Sequence, residues 1–198
     1  MNTNLITLAL AILLFSARIA PLVLGTVTVL RGVILLSGQK REFEDWTRNP
    51  AMTFLSILFF IPSIIYVGLR YAVSKSLGID IDSVGTSTTY GEMNLFLNVE
   101  KPPRVSVIIL SMFITVVLST YLGLFLLILP GLISLEFPTS LLSWYVALGV
   151  LFNTSLRSGD ISLLGAALKR RPRSGSVELL VSLALLAVLY TQLMVMPL

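Results

Sequence analysis

The chain reads as an all-α, polytopic integral membrane protein with about five transmembrane helices and short helices lying in the interface. Three observations predict this class. Hydrophobic residues make up 56% of its 198 positions and charged residues 12%, against roughly 45–50% and about 25% in ordinary globular domains. The mean hydropathy of +0.93 implies more apolar surface than one soluble core of this size can hide. Apolar stretches long enough to cross a bilayer alternate with links that hold most of the charge.

A single transmembrane domain, 1–198, is expected, with spans at about 4–36, 51–75, 105–129, 132–156 and 176–198. The first, "NLITLALAILLFSARIAPLVLGTVTVLRGVILL", would be roughly 50 Å long as one helix, beyond the ~30 Å hydrocarbon core. It must tilt, kink at Pro21, project from the membrane or fold back as two segments, which would make six spans. No basic residue precedes its apolar run, which argues against a cleaved signal peptide. The polar link 37–50 ends on Asn49-Pro50, which favours a new helix. In the second span Pro62 predicts a bend, because it supplies no backbone N–H. Arg70 and Lys75 stand at that span's far end, placed to snorkel towards headgroups.

Within the polar link 76–104, Thr89 and Glu92 have N-cap and N3 spacing, so "TTYGEMNLFLNV" predicts a short interfacial helix. Tyr90, Met93, Phe96 and Leu97 would form its apolar side, and Pro102-Pro103 would end it. Residues 105–156 hold one carboxylate, Glu136, and no basic residue. Pro130-Gly131 and Pro138 bracket that charge and predict a tight helical hairpin. The third link, 157–175, carries "DISLLGAALKRR", where Ile161, Leu164 and Leu168 share a helical face and cations gather at the C-terminal end.

With links 76–104 and 157–175 on the cytoplasmic side, that side holds Arg70, Lys75, Lys101, Arg104, Arg157, Lys169, Arg170, Arg171 and Arg173, against Lys40, Arg41 and Arg48 opposite. This asymmetry predicts a cytoplasmic N-terminus and an outer C-terminus. The cluster Lys169, Arg170, Arg171 and Arg173 is expected to contact anionic headgroups, at about 1 kcal/mol per cation near the surface. The net charge of +4 is explained in this way, without nucleic acid as a partner.

The chemistry available is narrow. There is no cysteine and no histidine, which excludes thiolate nucleophiles, iron–sulfur ligation, Ser-His-Asp triads and HExxH zinc sites. Asp80 and Asp82 in "GIDIDSVG" could touch one hard cation, but solvated loop acids are the expected reading. No catalytic residue, cofactor or metal site is assigned. Arg18, Arg31 and Arg70 form a candidate intramembrane polar site, since ionisable residues at bilayer depth are costly. Arg18 shares a helical face with Pro21, Gly25 and Gly32 while Arg31 lies off it, which argues against a single arginine stripe. Structural pairing with a carboxylate, helix-end carbonyls or lipid phosphate is the plainer role for Arg18. Ser111, Thr115, Ser119 and Gly123 recur every four residues, and with Gly25 and Gly32 they form candidate faces for close helix packing, within the chain or against another subunit. Trp46, Trp144 and Tyr145 read as interfacial anchors.

The run "YGEMNLFLNVEK", a span ending "LGLFLLILPGLISL", another span and then "SGDISLLGAALKRR" resemble the membrane domain associated with glycerophosphodiester phosphodiesterases and its uncharacterised bacterial and archaeal relatives. The resemblance covers about residues 89–190. It implies an architecture in which a Pro-Gly hairpin joins spans that alternate with amphipathic cytoplasmic segments. The phosphodiesterase catalytic domain has no counterpart here, so the resemblance implies no enzymatic activity.

The expected function is that of a non-enzymatic structural or accessory subunit of a larger membrane complex. Its partners would be membrane lipids, other membrane subunits or a second copy. A small transporter or channel component for an anionic solute is the alternative. A membrane-embedded lipid enzyme is the least favoured class, because the ten acids are scattered through the polar links.

Overall fold

The computed structural model describes residues 2–37, 39–40, 47–89 and 92–195. Among them it is mostly helical, and the first apolar stretch is one unbroken helix, α1 (Asn2–Leu36), with Pro21 inside it. A minimal ladder, β1 (Gln39–Lys40) with β2 (Thr47–Arg48), leads to α2 (Pro50–Leu58). The Asn49-Pro50 start is explained by its cap: the Asn49 side chain accepts from the Met52 N–H at 3.1 Å while Pro50 occupies a position that needs no donor.

The bend expected at Pro62 lies three residues earlier. α2 and α3 (Phe60–Ser76) meet at Phe59 at 70°. Proline acts upstream, because its ring crowds the carbonyl four residues before it and leaves that carbonyl without a donor. The carbonyl is that of Leu58, the last residue of α2.

The expected interfacial helix at 89–99 is instead part of a hairpin, β3 (Ile81–Thr89) against β4 (Glu92–Val99), antiparallel with Thr89 opposite Glu92 and a bulge between Ile81 and Ser83. The segment "IDSVGTSTT" offers β-branched and hydroxyl residues with no helical period, and it gives "EMNLFLNV" a strand to pair with. That partner outweighs a capping-box spacing, which is only a local preference. Gly85 is needed here, because a Cβ there would lie 2.6 Å from the Phe96 ring opposite.

Pro102-Pro103 precede α4 (Val105–Ile133), which runs straight through Pro130-Gly131. The chain reverses instead at Ser134, in the left-handed region at φ 47°, before α5 (Phe137–Asn153) starts on Pro138's turn. α6 (Ser158–Arg170) and α7 (Pro172–Val195) complete the order. A small core joins Val105, Ile108 and Ile109 of α4 to Ala167 of α6, with Leu163, Leu164, Leu168, Leu179 and Leu186 against it. Ile161, expected on that face, is 63% exposed.

Thr7–Leu36 of α1, α4 and α7 are long and apolar enough to cross a membrane, and the bent α2–α3 pair makes a fourth if it counts as one span. A fifth crossing would rest on α5, whose 17 residues reach only about 25 Å at helical rise.

Candidate functional site

α5 closes gaps that prolines leave in its neighbours. Pro62 leaves the Leu58 carbonyl without a helical donor, and the Tyr145 hydroxyl donates to it at 2.5 Å. Pro130 does the same to Leu126, whose carbonyl accepts from Ser143 Oγ at 2.6 Å. Trp144 Nε1 adds a 3.2 Å bond to Leu127, the next carbonyl along. Three consecutive residues thus donate to one broken helix pair and to α4, which is continuous but has a gap in its hydrogen-bond ladder at Pro130. In a bilayer this is how interrupted helices stay satisfied, since no water replaces the missing N–H. Trp144 and Tyr145, expected as interfacial anchors, hold these bonds; Trp46 lies outside the described residues.

The Ser111, Thr115, Ser119 and Gly123 band packs within the chain. Ser111 Oγ meets Ser74 Oγ of α3 at 3.1 Å, and Thr154 Oγ1 donates to Ser119 Oγ at 3.0 Å. Thr115 and Ser119 also donate back to the carbonyls of Ser111 and Thr115, each at 2.7 Å. A Cβ on Gly123 would lie 2.5 Å from Leu151 Cγ, and one on Gly149 2.4 Å from the Pro62 ring, so both glycines permit close helix approach. At Gly25 and Gly32, by contrast, a Cβ would meet nothing within 4 Å.

Of the three arginines proposed as one polar site, Arg18 goes elsewhere, while Arg31 and Arg70 both lie within electrostatic reach of Tyr66. Arg18 Nε donates at 2.8 Å to the carbonyl of Leu193 in α7, four residues before Pro197, which has no N–H to offer it. Tyr190 of α7 returns a 3.0 Å bond to the Arg18 carbonyl, close before Pro21. Arg31 is buried, with its guanidinium 5.3 Å from the Phe152 ring centroid. Arg70, expected to snorkel, instead forms an ion pair with Asp160, which is buried.

Arg70 belongs to a cluster that Arg31 borders, through Tyr66 and Arg157, and whose remaining members carried no sequence expectation as a site. Asp160 stands at N3 of α6 with one carboxylate oxygen towards Arg70 and the other accepting from the Arg157 backbone N–H at 3.1 Å. Arg157, the N-cap, donates from Nη2 to Asn153 Oδ1 at 2.5 Å and from Nη1 to the Leu95 carbonyl at 3.3 Å. Its guanidinium also lies 5.3 Å from the centroid of the buried Tyr66 ring. Burial holds the Arg157 guanidinium below its ordinary pKa, against the opposite pull of Tyr66 and Asp160. The one hint in the sequence was an acid three residues after a basic N-cap in "RSGD", which is a weak pattern by itself.

Of the remaining candidates, Lys169, Arg170, Arg171 and Arg173 are all exposed around the α6–α7 turn. Asp80 and Asp82 are exposed too, and Asp82 accepts from Ser83 Oγ at 3.3 Å. No protein-family model, curated protein or solved structure matches the chain.

Proposed function

We propose that the chain is a non-enzymatic accessory subunit of a membrane complex, and that it docks another transmembrane helix along the outer face of α1. One observation carries this reading. Phe15, Leu22, Val29 and Leu36 are 45%, 64%, 66% and 86% exposed and recur every seven residues. Between them stand Arg18, which α7 already engages, and Gly25 and Gly32, completing an alternating spacing of three and four that is open from Leu22 onward. That spacing keeps a seam on one side of a helix for a partner crossing at a shallow angle. At Gly25 and Gly32 the seam has no Cβ, and nothing among the described residues lies within 4 Å of where one would stand. Small residues of this kind let helix backbones approach closely in a bilayer, where packing drives association.

A partner helix from another subunit or a second copy is the expected occupant. The chain has no cysteine, so a single cysteine at Val29 gives an unambiguous crosslinking probe. A crosslinked species larger than the monomer is expected from native membranes. Lipid alone on this face would give no protein adduct, with a monomeric particle that Gly25→Leu leaves unchanged.

The orientation belongs to the same proposal: five spans, a cytoplasmic N-terminus and an outer C-terminus. With Arg70 and Arg157 turned inward, Lys75, Lys101, Arg104, Lys169, Arg170, Arg171 and Arg173 remain exposed on the side proposed as cytoplasmic, where they would meet anionic headgroups. Reporter fusions after Lys101, after Arg173 and at Leu198 test this. A reporter on the outer side after Arg173 would overturn it. The anionic-solute alternative is less well supported, because Arg18 is bonded to α7 and Arg70 is paired with Asp160.

A further inference from the structure

Beside the Arg70–Asp160–Arg157 cluster lies a half-open pocket of about 410 Å³ bounded by β4, Arg70 of α3 and the first turns of α6. Its polar wall is Arg70, Arg157, Gly159 and Ser162, and its opposite wall is largely Leu95, Leu97 and Val99. A second, shallow and open depression of about 340 Å³ is lined by Ile64, Val67, Gly68, Tyr71, Val84 and Leu95, an almost wholly apolar set. Leu95 belongs to both, so a polar chamber and an apolar trough adjoin along β4.

Charge sets what the polar chamber accepts. Two guanidinium groups face one carboxylate, and the oxygens of Asp160 are already taken by Arg70 and by the Arg157 N–H. Asp160 does not line the cavity, so the cations, not the acid, present themselves to a ligand. Arg157 Nε is shielded from solvent and has no hydrogen-bond partner among the described residues. A buried cation left in excess is costly until an anion joins it. The same wall carries the amino-terminal turn of the 13-residue α6, whose backbone donors favour negative charge. At Gly159 a Cβ would meet nothing within 4 Å, so that turn is open beside the cavity.

We infer that this pair of cavities binds one anionic phospholipid. The phosphate sits between Arg70, Arg157 and the start of α6, and an acyl chain lies in the trough beyond Leu95. The planar guanidinium fork suits phosphate oxygens. The apolar trough is what selects an amphiphile over a free phosphate ester. The site is separate from the α1 seam and does not depend on it.

The test uses the full chain in nanodiscs of phosphatidylcholine containing a minority of phosphatidylglycerol, followed by native mass spectrometry of retained lipid. One phosphatidylglycerol is expected to stay bound, preferred over phosphatidylcholine by roughly tenfold, as one or two charge-assisted contacts would give. Arg157→Gln should lower that preference. If Arg157→Gln does not fold, Gly159→Leu and Gly68→Leu carry the test, because each fills a cavity and spares the ion pair. Each should lower retained lipid several-fold with little change in melting temperature. Glycerol 1-phosphate and inorganic phosphate form the competing arms. Displacement of the lipid by inorganic phosphate alone at millimolar concentration would assign the site to a free anion and overturn the lipid proposal. Equal lipid retention and preference in the wild type and Gly159→Leu would also overturn it.

Discussion

Gly123 in α4 and Gly25 in α1 look alike in the sequence, each a glycine within an apolar helix and each in register with other small residues. Their surroundings differ completely. Gly123 is closed over by Leu151, in a hairpin where α5 also supplies donors to carbonyls freed by prolines. Gly25 has no atom of the described residues within 4 Å of where its Cβ would stand, and large apolar side chains stand exposed on either side of it. The interior of this protein is finished by polar bonds and glycine contacts that can each be named. The α1 face has the same ingredients with the second surface missing. Small residues mark a place for close approach, but what approaches is decided by the rest of the chain.

The severest way to break the finished interior is to remove the acid from the arginine cluster. Asp160→Ala leaves Arg70 and Arg157 without their carboxylate, and breaking a buried pair this way should cost about 3–5 kcal/mol. Thermal unfolding in detergent would show it as a large fall in midpoint. The paired change of Arg70→Met with Asp160→Leu should recover part of the loss, because Arg70 is then no longer an unpaired charge, while Arg157 stays without its carboxylate. If Asp160→Ala unfolds like the wild type, the cluster is not part of the closed interior.

Next come the two interior glycines, which sharpen the comparison between themselves. Gly149→Ala drives a methyl into the Pro62 ring, which is rigid, and towards Phe59. Gly123→Ala meets the end of Leu151, which can change rotamer. Both overfill, and the cost of overfilling is about 1–3 kcal/mol; Gly149→Ala should lie towards the upper end and Gly123→Ala towards the lower. The reverse order would mean that the α3–α5 contact yields more easily than the α4–α5 contact.

The sequence shows much of this architecture and misses much of the site, for physical reasons. Apolar length and hydroxyl spacing are local properties, so the starts of α2 and α4 and the Ser111–Gly123 band can be read directly. Pro62 is equally visible, but its effect falls on Leu58 and its remedy on Tyr145, which is 87 residues from that carbonyl. The Thr89–Glu92 spacing is a valid local signal for a helix, overridden by a partner strand whose pairing is non-local. Arg70 and Asp160 lie 90 residues apart, and nothing along the chain marks them as partners. Arg157 reads as one more cation of a cytoplasmic link until α6 turns it inward.

A smaller effect tests whether α5 truly repairs the prolines. Tyr145→Phe removes the donor to Leu58 and should cost about 0.6–2 kcal/mol, the range for interhelical hydrogen bonds in membrane proteins. Pro62→Ala restores an N–H four residues after Leu58, so in the Tyr145→Phe background it should be less harmful than alone. A double-mutant cycle measures that coupling directly. Additive losses would mean that Tyr145 and Pro62 act independently, and the Leu58 bond would then be incidental.

The smallest expected effect lies on the unfinished side. Gly25→Leu adds a side chain where a Cβ finds open space, and it replaces a residue that costs a helix about 1 kcal/mol relative to the best formers. The isolated monomer should therefore keep its midpoint or gain slightly, unlike Gly149→Ala. The same substitution puts bulk at the closest point of the proposed α1 seam, so association should weaken although the fold does not. Measured together, the two readouts separate the regions: interior glycines lower stability in the lone chain, and α1 glycines lower only the size of the complex. A stability loss for Gly25→Leu in the monomer would place a neighbour against α1 within this chain, and the seam would then be part of the interior.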